Sequence, residues 1–222
     1  MSYFPTSSHG DTVVVTLNNP DRNTLLPELL EEGTKVFEQL VKDPPKGGVV
    51  LTGAGEHFTC GMNTKVAASL DEAGVKRAVA AINSYCAALH RLPCSLVAAV
   101  NGNCIGAGGI MALASDWIVA AKGDYKIGLP EAKAGLPFPP VPQIILDYWM
   151  DPVWRRRLAL SSELLAPEQA ILAGLADELC DTAKLIETAV AQAQTLNAQP
   201  GFAACKQQLR ARANAEIDAI LA

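Results

Sequence analysis

The sequence is poor in the residues that build metal sites and disulfide frameworks. Its 222 residues include three histidines and six cysteines, which show no metal-ligand spacing and no Cys-x-x-Cys pair. No arrangement of serine, histidine and aspartate suggests a hydrolase triad. We therefore expect no metal centre and no disulfides, and we expect the cysteines to be reduced thiols that act as small apolar fillers.

Charge and long apolar runs are also scarce. The most apolar stretch, residues 92–113, is broken by Pro93, Asn101, Asn103 and several glycines, so it lacks the roughly 18 uninterrupted residues of a membrane span. Charged residues make up 18% of the chain, the formal net charge is −5, and the one basic run is residues 155–157. We expect neither nucleic acid nor a membrane as partner. No apolar segment follows a basic start at the N-terminus, which predicts a cytoplasmic protein.

Short apolar runs alternate with segments of helical periodicity along the chain. Strands are predicted over residues 12–17, 48–52, 95–100, 115–121, 125–127 and 175–180, and helices over 27–41, 70–91, 142–150, 151–160, 167–173, 182–198 and 202–222. Continuously apolar strands joined by helices are typical of a parallel sheet that is buried on both faces. The pattern predicts an α/β fold with its functional residues at the carboxyl ends of the strands.

Two glycine-containing loops, residues 57–63 and 101–109, each follow a predicted buried strand. Their backbone amides are free to converge on one anionic oxygen. A third loop, residues 128–131, places Glu131 among apolar neighbours. This combination suits chemistry beside an activated carbonyl and indicates an enzyme.

These loops and their flanking residues resemble the crotonase superfamily, the enoyl-CoA hydratases and isomerases that stabilise thioester enolates. The resemblance covers about residues 10–181. It is carried by residues 19–25, 51–63, 98–109, 114–116, 129–131 and 164–177. It implies a spiral of ββα units as the core over residues 1–181. It also implies a C-terminal helical region over residues 182–222, which would build the contact of a homotrimer or hexamer.

The resemblance assigns roles to three catalytic positions. The N–H groups of Met62 and Ala107 would hold the thioester oxygen, with a helix opening near Ala107, and Glu131 would act as acid or base on the carbon skeleton. Apolar neighbours of Glu131 would raise its pKa. Without the resemblance, tight packing would be the better explanation of the glycines, and a surface turn would explain Glu131 equally well. The implied substrate is an acyl-CoA thioester, with coenzyme A as part of the substrate and no metal or redox cofactor.

Three further positions are assigned to the CoA portion by the same resemblance. Lys65 stands where relatives often keep a lysine that contacts phosphate, and Arg22 stands where another basic residue is common. The carbonyls of Cys60 and Met62 would face the adenine. Both charges are equally compatible with ordinary solvated side chains.

Two departures from the family pattern favour one reaction. Ile110 occupies the position of the second glutamate of hydratases, and Pro139 occupies an acidic position of dienoyl isomerases. A single carboxylate has no partner to orient water, which favours proton transfer from C2 to C4. Residues 135–140 also resemble single-glutamate 3-enoyl-CoA to 2-enoyl-CoA isomerases. A hydratase, a CoA-thioester hydrolase and a non-catalytic acyl-CoA-binding subunit remain as alternatives.

Overall fold

A six-stranded sheet forms the centre of the computed structural model, which describes residues 2–222. Its strands, in spatial order, are β1 (Thr6–His9), β2 (Thr12–Leu17), β3 (Val49–Gly53), β5 (Leu96–Val100), β7 (Trp117–Ala121) and β10 (Glu178–Cys180). β1 runs antiparallel to β2, and all other neighbours are parallel. Every residue of β3 and β5 is buried, as their continuous apolar sequence predicts.

A second, smaller sheet consists of β4 (His57–Thr59), β6 (Asn103–Ile105), β8 (Ile127–Gly128) and β9 (Leu164–Leu165). The first three are parallel to one another and each follows a strand of the large sheet within a few residues, whereas β9 runs antiparallel to β8. The succession of a long strand, a short strand and a helix confirms the predicted ββα spiral. Of these short strands the sequence pattern predicted only β8.

Within residues 2–222 the structure also has ten α-helices. They are α1 (Pro27–Lys42), α2 (Thr64–Ser69), α3 (Glu72–His90), α4 (Ala107–Leu113), α5 (Glu131–Ala134), α6 (Pro140–Trp149), α7 (Pro152–Ser161), α8 (Pro167–Ala173), α9 (Leu185–Asn197) and α10 (Phe202–Leu221), with a 3₁₀ turn at Thr182–Lys184 before α9. Aspartate side chains cap α3 and α7, because Asp71 accepts from Gly74 N and Asp151 accepts from Val153 N. The short helices α2 and α5 were not predicted from periodicity.

Hydrophobic clusters cover both faces of the large sheet. On one face the main cluster includes Phe37 and Tyr85 from α1 and α3. On the opposite face α9 packs Leu185, Ala189 and Ala193 against valines of β2, β3, β5 and β7. The sheet is therefore buried from both sides, which confirms the reading of its apolar strands.

The C-terminal residues 182–222 pack on their own chain. Ala213 and Ile217 of α10 are fully buried, and so, almost completely, are Lys206 and Arg210. Both cations contact Asp116, Lys206 Nζ at 2.6 Å from Oδ2 and Arg210 Nη2 at 2.8 Å from Oδ1. We call these three residues the Asp116 cluster. The proposed boundary at residue 181 and the contact with other copies of the chain remain predictions.

Two predicted absences can be compared with the described part of the chain. No helix within residues 2–222 has the length and hydropathy to cross a membrane. All six cysteines are free thiols; Cys86, Cys94 and Cys104 are buried as expected of apolar fillers. Cys205 is exposed, so the filler prediction is wrong for this residue, which lies on the outer face of α10.

Candidate active site

Parallel pairing of the short strands brings the three predicted loops together. Thr59 of β4 is aligned with Cys104 of β6, and Ile105 of β6 is aligned with Gly128 of β8. Parallel strands share the edge at which they end. The residues that follow these strands, which include Met62, Ala107 and Glu131, therefore lie at one edge of the smaller sheet.

Gly61 lies in direct contact with the second loop. Its φ of +77° is in the left-handed region, and a Cβ at this position would lie 2.7 Å from Ile105 O and 3.8 Å from Ala107 N. A side chain here would be strained and would collide with backbone. Glycine is thus required for the close approach of the two loops.

The backbone amides of Met62 and Ala107 are available to a ligand. Met62 forms an isolated parallel bridge with Leu25, in which Gly61 O accepts from Leu25 N and Asn63 N donates to Leu25 O. Met62 N itself takes no part in that bridge. Ala107 begins α4 and therefore has no acceptor within the helix. Within residues 2–222 neither amide has a hydrogen-bond acceptor outside regular elements.

The carboxylate of Glu131 lies against the turn that carries Ala107. A Cβ on Gly106, whose φ is +60°, would lie 3.1 Å from Glu131 Oε1. Oε2 is buried and has no hydrogen-bond partner in the described part of the chain. Burial raises the pKa of Glu131 from 4.5 to about 7, in the direction that its apolar neighbours predicted.

A cavity of about 790 Å³ opens beside Glu131, a size typical of small-molecule sites. Apolar residues after α5, including Leu136 and Phe138, form one part of its lining, and α6 and α7 form another. Met62 and Ala107 are not among the residues that line this cavity; Ala107 follows Gly106, which lies against Glu131 Oε1. The cavity therefore extends from the carboxylate rather than from the two amides.

The two positions at which the sequence analysis looked for a second acidic residue, 110 and 139, carry no acid in this chain. Ile110 is fully buried within α4, and Pro139 precedes the first residue of α6. Besides Glu131, the carboxylate that lines the cavity is Asp147, and it already accepts a hydrogen bond from Gln143 and forms a salt bridge with Arg155. Glu131 is thus the buried carboxylate without a partner at this site.

The three residues assigned to CoA, Arg22, Cys60 and Lys65, lie in or next to the loops that follow β2 and β4. Cys60 N donates to Arg22 O at 3.2 Å. Asn63 caps α2, the helix that carries the exposed Lys65, and its Nδ2 also donates to Asp21 Oδ2 at 2.9 Å. Burial raises the pKa of the Cys60 thiol, so its side chain is a poor nucleophile. The contacts of these residues with CoA remain predictions.

Sequence reasoning missed the side chains that hold the first loop in place. Asn23 is 2% exposed, and its Nδ2 donates to Ala54 O and His57 O at 2.9 and 2.7 Å. Thr59 Oγ1 donates to Asn23 O at 2.6 Å and accepts from Gly61 N. The sequence analysis includes these residues in the matching segments 19–25 and 51–63 but gives them no role of their own. Their burial, which demands hydrogen-bond partners, became visible only in the fold.

Comparison with known proteins agrees with this geometry. The family model described as enoyl-CoA hydratase/isomerase matches residues 8–221. The chain belongs to this family. It is 28% identical over 197 residues to enoyl-CoA delta isomerase 3 of Arabidopsis thaliana, a match that covers 86% of this chain and 83% of the relative.

Another relative carries a different activity in its name. Carnitinyl-CoA dehydratase of Escherichia coli is 27% identical over 213 residues, covering 95% of this chain and 81% of the relative. The crystal structure of an enoyl-CoA hydratase/isomerase family protein from Pseudomonas syringae superposes with a TM-score of 0.89 at 22% identity, covering 99% of this chain and 95% of that one. The family and the crotonase fold are therefore established, and the reaction is left to the site.

Proposed function

We propose that the protein is a CoA-thioester isomerase that moves a double bond from C3 to C2 of an enoyl group, with Glu131 as its single acid and base. The observation that carries this proposal is the buried Oε2 of Glu131, which has no hydrogen-bond partner within residues 2–222. A carboxylate in this state is costly to bury, and such groups are typical of functional sites.

In the first step the Glu131 carboxylate removes a proton from C2 of a 3-enoyl thioester. The electron pair of the C2–H bond forms a C1–C2 double bond, and the negative charge moves to the thioester oxygen. The N–H groups of Met62 and Ala107 donate to that oxygen. Each such donor is worth about 3 kcal/mol to the transition state.

In the second step protonated Glu131 returns its proton to C4. The electron pair of the C3–C4 double bond forms the C4–H bond, and the enolate electrons form the new C2–C3 double bond. The carboxylate is regenerated and no other reactant is consumed. A pKa of about 7 suits a group that must both accept and donate a proton near neutral pH.

The alternatives differ in what they do to water. A hydratase must hold a water molecule for attack at C3, and a hydrolase must hold one for attack at C1. With Ile110 buried and Asp147 engaged by Gln143 and Arg155, the site offers Glu131 no free carboxylate as partner for orienting water.

The decisive experiment offers the purified protein a 3-enoyl-CoA and, separately, a 2-enoyl-CoA. We expect the first to be converted to the 2-enoyl product, and the second to yield the 3-enoyl isomer with negligible 3-hydroxyacyl product. Deuterium at C2 of the first substrate should appear in part at C4, because one buried group carries the proton. Hydration of the 2-enoyl thioester as the dominant reaction, or release of free CoA, would overturn the proposal.

A further inference from the structure

Part of the cavity lining, contributed by α6 and α7, carries polar side chains that contact one another. Asp147 Oδ1 accepts from Gln143 Nε2 at 2.8 Å and lies 3.0 Å from Arg155 Nη1, and Asp147 O accepts from the same Nη1 at 2.7 Å. All three side chains belong to residues that line the cavity. A ligand that places a polar group against this part of the lining would find hydrogen-bonding groups there.

The basic run Arg155–Arg157 divides into two paired cations and one without a partner. Arg155 is paired with Asp147. Arg157 forms a two-pronged contact with Glu163, with N–O distances of 2.7 and 2.9 Å. Arg156 lines the cavity and has no carboxylate within 4.0 Å among residues 2–222. The cavity thus holds one uncompensated positive charge on α7.

This charge is separated from the catalytic carboxylate. No salt bridge joins Arg156 to Glu131, and burial rather than a neighbouring cation dominates the environment of Glu131. A guanidinium in contact with Glu131 would stabilise the ionised form. The base and the unpaired cation therefore line one cavity without forming an ion pair.

We infer that Arg156 binds a carboxylate at the distal end of the acyl group, so that the substrate is the CoA monothioester of an unsaturated dicarboxylic acid. This inference rests on the proposed function for the orientation of the substrate, with its thioester at Glu131 and its far end at α7. The planar guanidinium suits a carboxylate because two parallel N–H groups reach its two oxygens.

The expected effect is moderate because Arg156 is exposed. Ion pairs that are open to solvent contribute little free energy and are weakened by salt. We expect a five- to tenfold preference in kcat/KM for a substrate that ends in carboxylate over one that ends in methyl. This preference should shrink as the ionic strength is raised.

The test compares two six-carbon 3-enoyl-CoA substrates that differ only in a terminal carboxylate or methyl group. In Arg156→Gln we expect the preference to disappear through loss of activity on the carboxylate substrate alone. The matched control is Arg157→Gln, which removes a neighbouring guanidinium that does not line the cavity and should keep the preference. An equal or reversed preference in the unaltered protein, or one that survives Arg156→Gln, would overturn the inference.

Binding measurements separate this inference from the proposed reaction. Calorimetric titration with the saturated six-carbon thioesters needs no turnover, so it tests Arg156 even if neither 3-enoyl substrate is isomerised. Arg156→Gln should weaken binding of the carboxylate-ended thioester five- to tenfold and leave the methyl-ended one and free CoA unchanged. Equal weakening for free CoA would show that Arg156 contacts the CoA phosphates, and this result would also contradict the inference.

Discussion

Two buried carboxylates of this chain have opposite surroundings. Asp116 accepts from Leu96 N at 2.8 Å and from the cations Lys206 and Arg210. Glu131 has one carboxylate oxygen without any partner in the described residues. Asp116, which directly precedes β7, therefore holds α10 against the large sheet through these two ion pairs. At Glu131 no ion pair offsets the desolvation of the carboxylate, and burial raises its pKa to about 7.

The difference shows how the same side-chain chemistry serves structure or reaction. A buried charge with well-placed partners is difficult to remove, because the partners are then left uncompensated. A buried carboxylate without partners destabilises the fold but can exchange a proton near neutral pH. Substitutions at the two sites should therefore have opposite effects on stability and activity.

The largest effect is expected for Glu131→Gln, which keeps the shape and removes the base. We expect kcat to fall about a thousandfold, while thermal unfolding occurs at the same or a higher temperature. The control is Glu168→Gln, which alters an exposed glutamate of α8 and should leave both quantities unchanged. Loss of less than tenfold in kcat would mean that another group removes the proton.

Asp116→Asn should show the reverse pattern. It leaves Lys206 and Arg210 buried without their counter-charge, which we expect to lower the free energy of unfolding by about 3 kcal/mol. The kcat of the folded protein should stay within threefold of the original value. Denaturant titration measures the first quantity.

A matched control for Asp116→Asn lies on α10 itself. Asp218→Asn breaks the pair between Asp218 and Arg91, in which the aspartate side chain is 67% exposed, and should cost well below 1 kcal/mol. Equal losses for the two variants would show that burial does not distinguish these ion pairs.

The pH dependence of the free energy of unfolding should also distinguish Glu131 from Asp116. The folded-state pKa of Glu131, about 7, lies above its ordinary value of 4.5, so between these values the folded protein holds a proton that the unfolded chain has lost. Its stability therefore falls as pH rises through this window. We expect Glu131→Gln to gain about 2 kcal/mol over the unaltered protein between pH 4.5 and pH 7. A gain that stays constant with pH would contradict the raised pKa.

The pH dependence of catalysis tests the raised pKa of Glu131 independently of stability. In the proposed reaction the ionised form of Glu131 removes the proton, so kcat/KM should fall about tenfold for each pH unit below about 7. Arg157→Gln should show the same midpoint, since that residue lies outside the cavity. A midpoint near the ordinary glutamate value of 4.5 would mean that Glu131 is well solvated in the active protein.

The two carboxylates also differ in how far the sequence could predict their roles. Glu131 stands in a loop near two glycine-containing loops that the sequence shows, and the resemblance to the family supplied its predicted role. Asp116 was visible only as part of a matching segment. Its partners Lys206 and Arg210 follow 90 and 94 residues later, and no periodicity of α10 marks them as buried. Contacts between distant elements depend on packing that a local pattern does not contain.

Elements were predictable in proportion to their length. β3 and β5 carry continuous apolar runs, and their bounds fall within one residue of the prediction. β4 and β6 have three residues each, too few for a period to show. They form because the neighbouring long strands bring them side by side. The site therefore depends on the elements that were hardest to predict, and the family resemblance located it where periodicity could not.

The indole of Trp149 is placed to report on the C-terminal helix. Its Nε1 donates to His90 Nε2 at 3.0 Å, the other ring nitrogen of His90 lies 2.8 Å from Asn214 Oδ1, and the Arg210 guanidinium lies 5.4 Å from the indole centroid. Burial and the charge of Arg210 lower the pKa of His90 to about 3, so these contacts persist across the neutral range. With Trp117→Phe and Trp154→Phe to remove the other two indoles, the intrinsic fluorescence of Trp149 should provide an optical signal for the docking of α10 that needs neither a label nor a substrate.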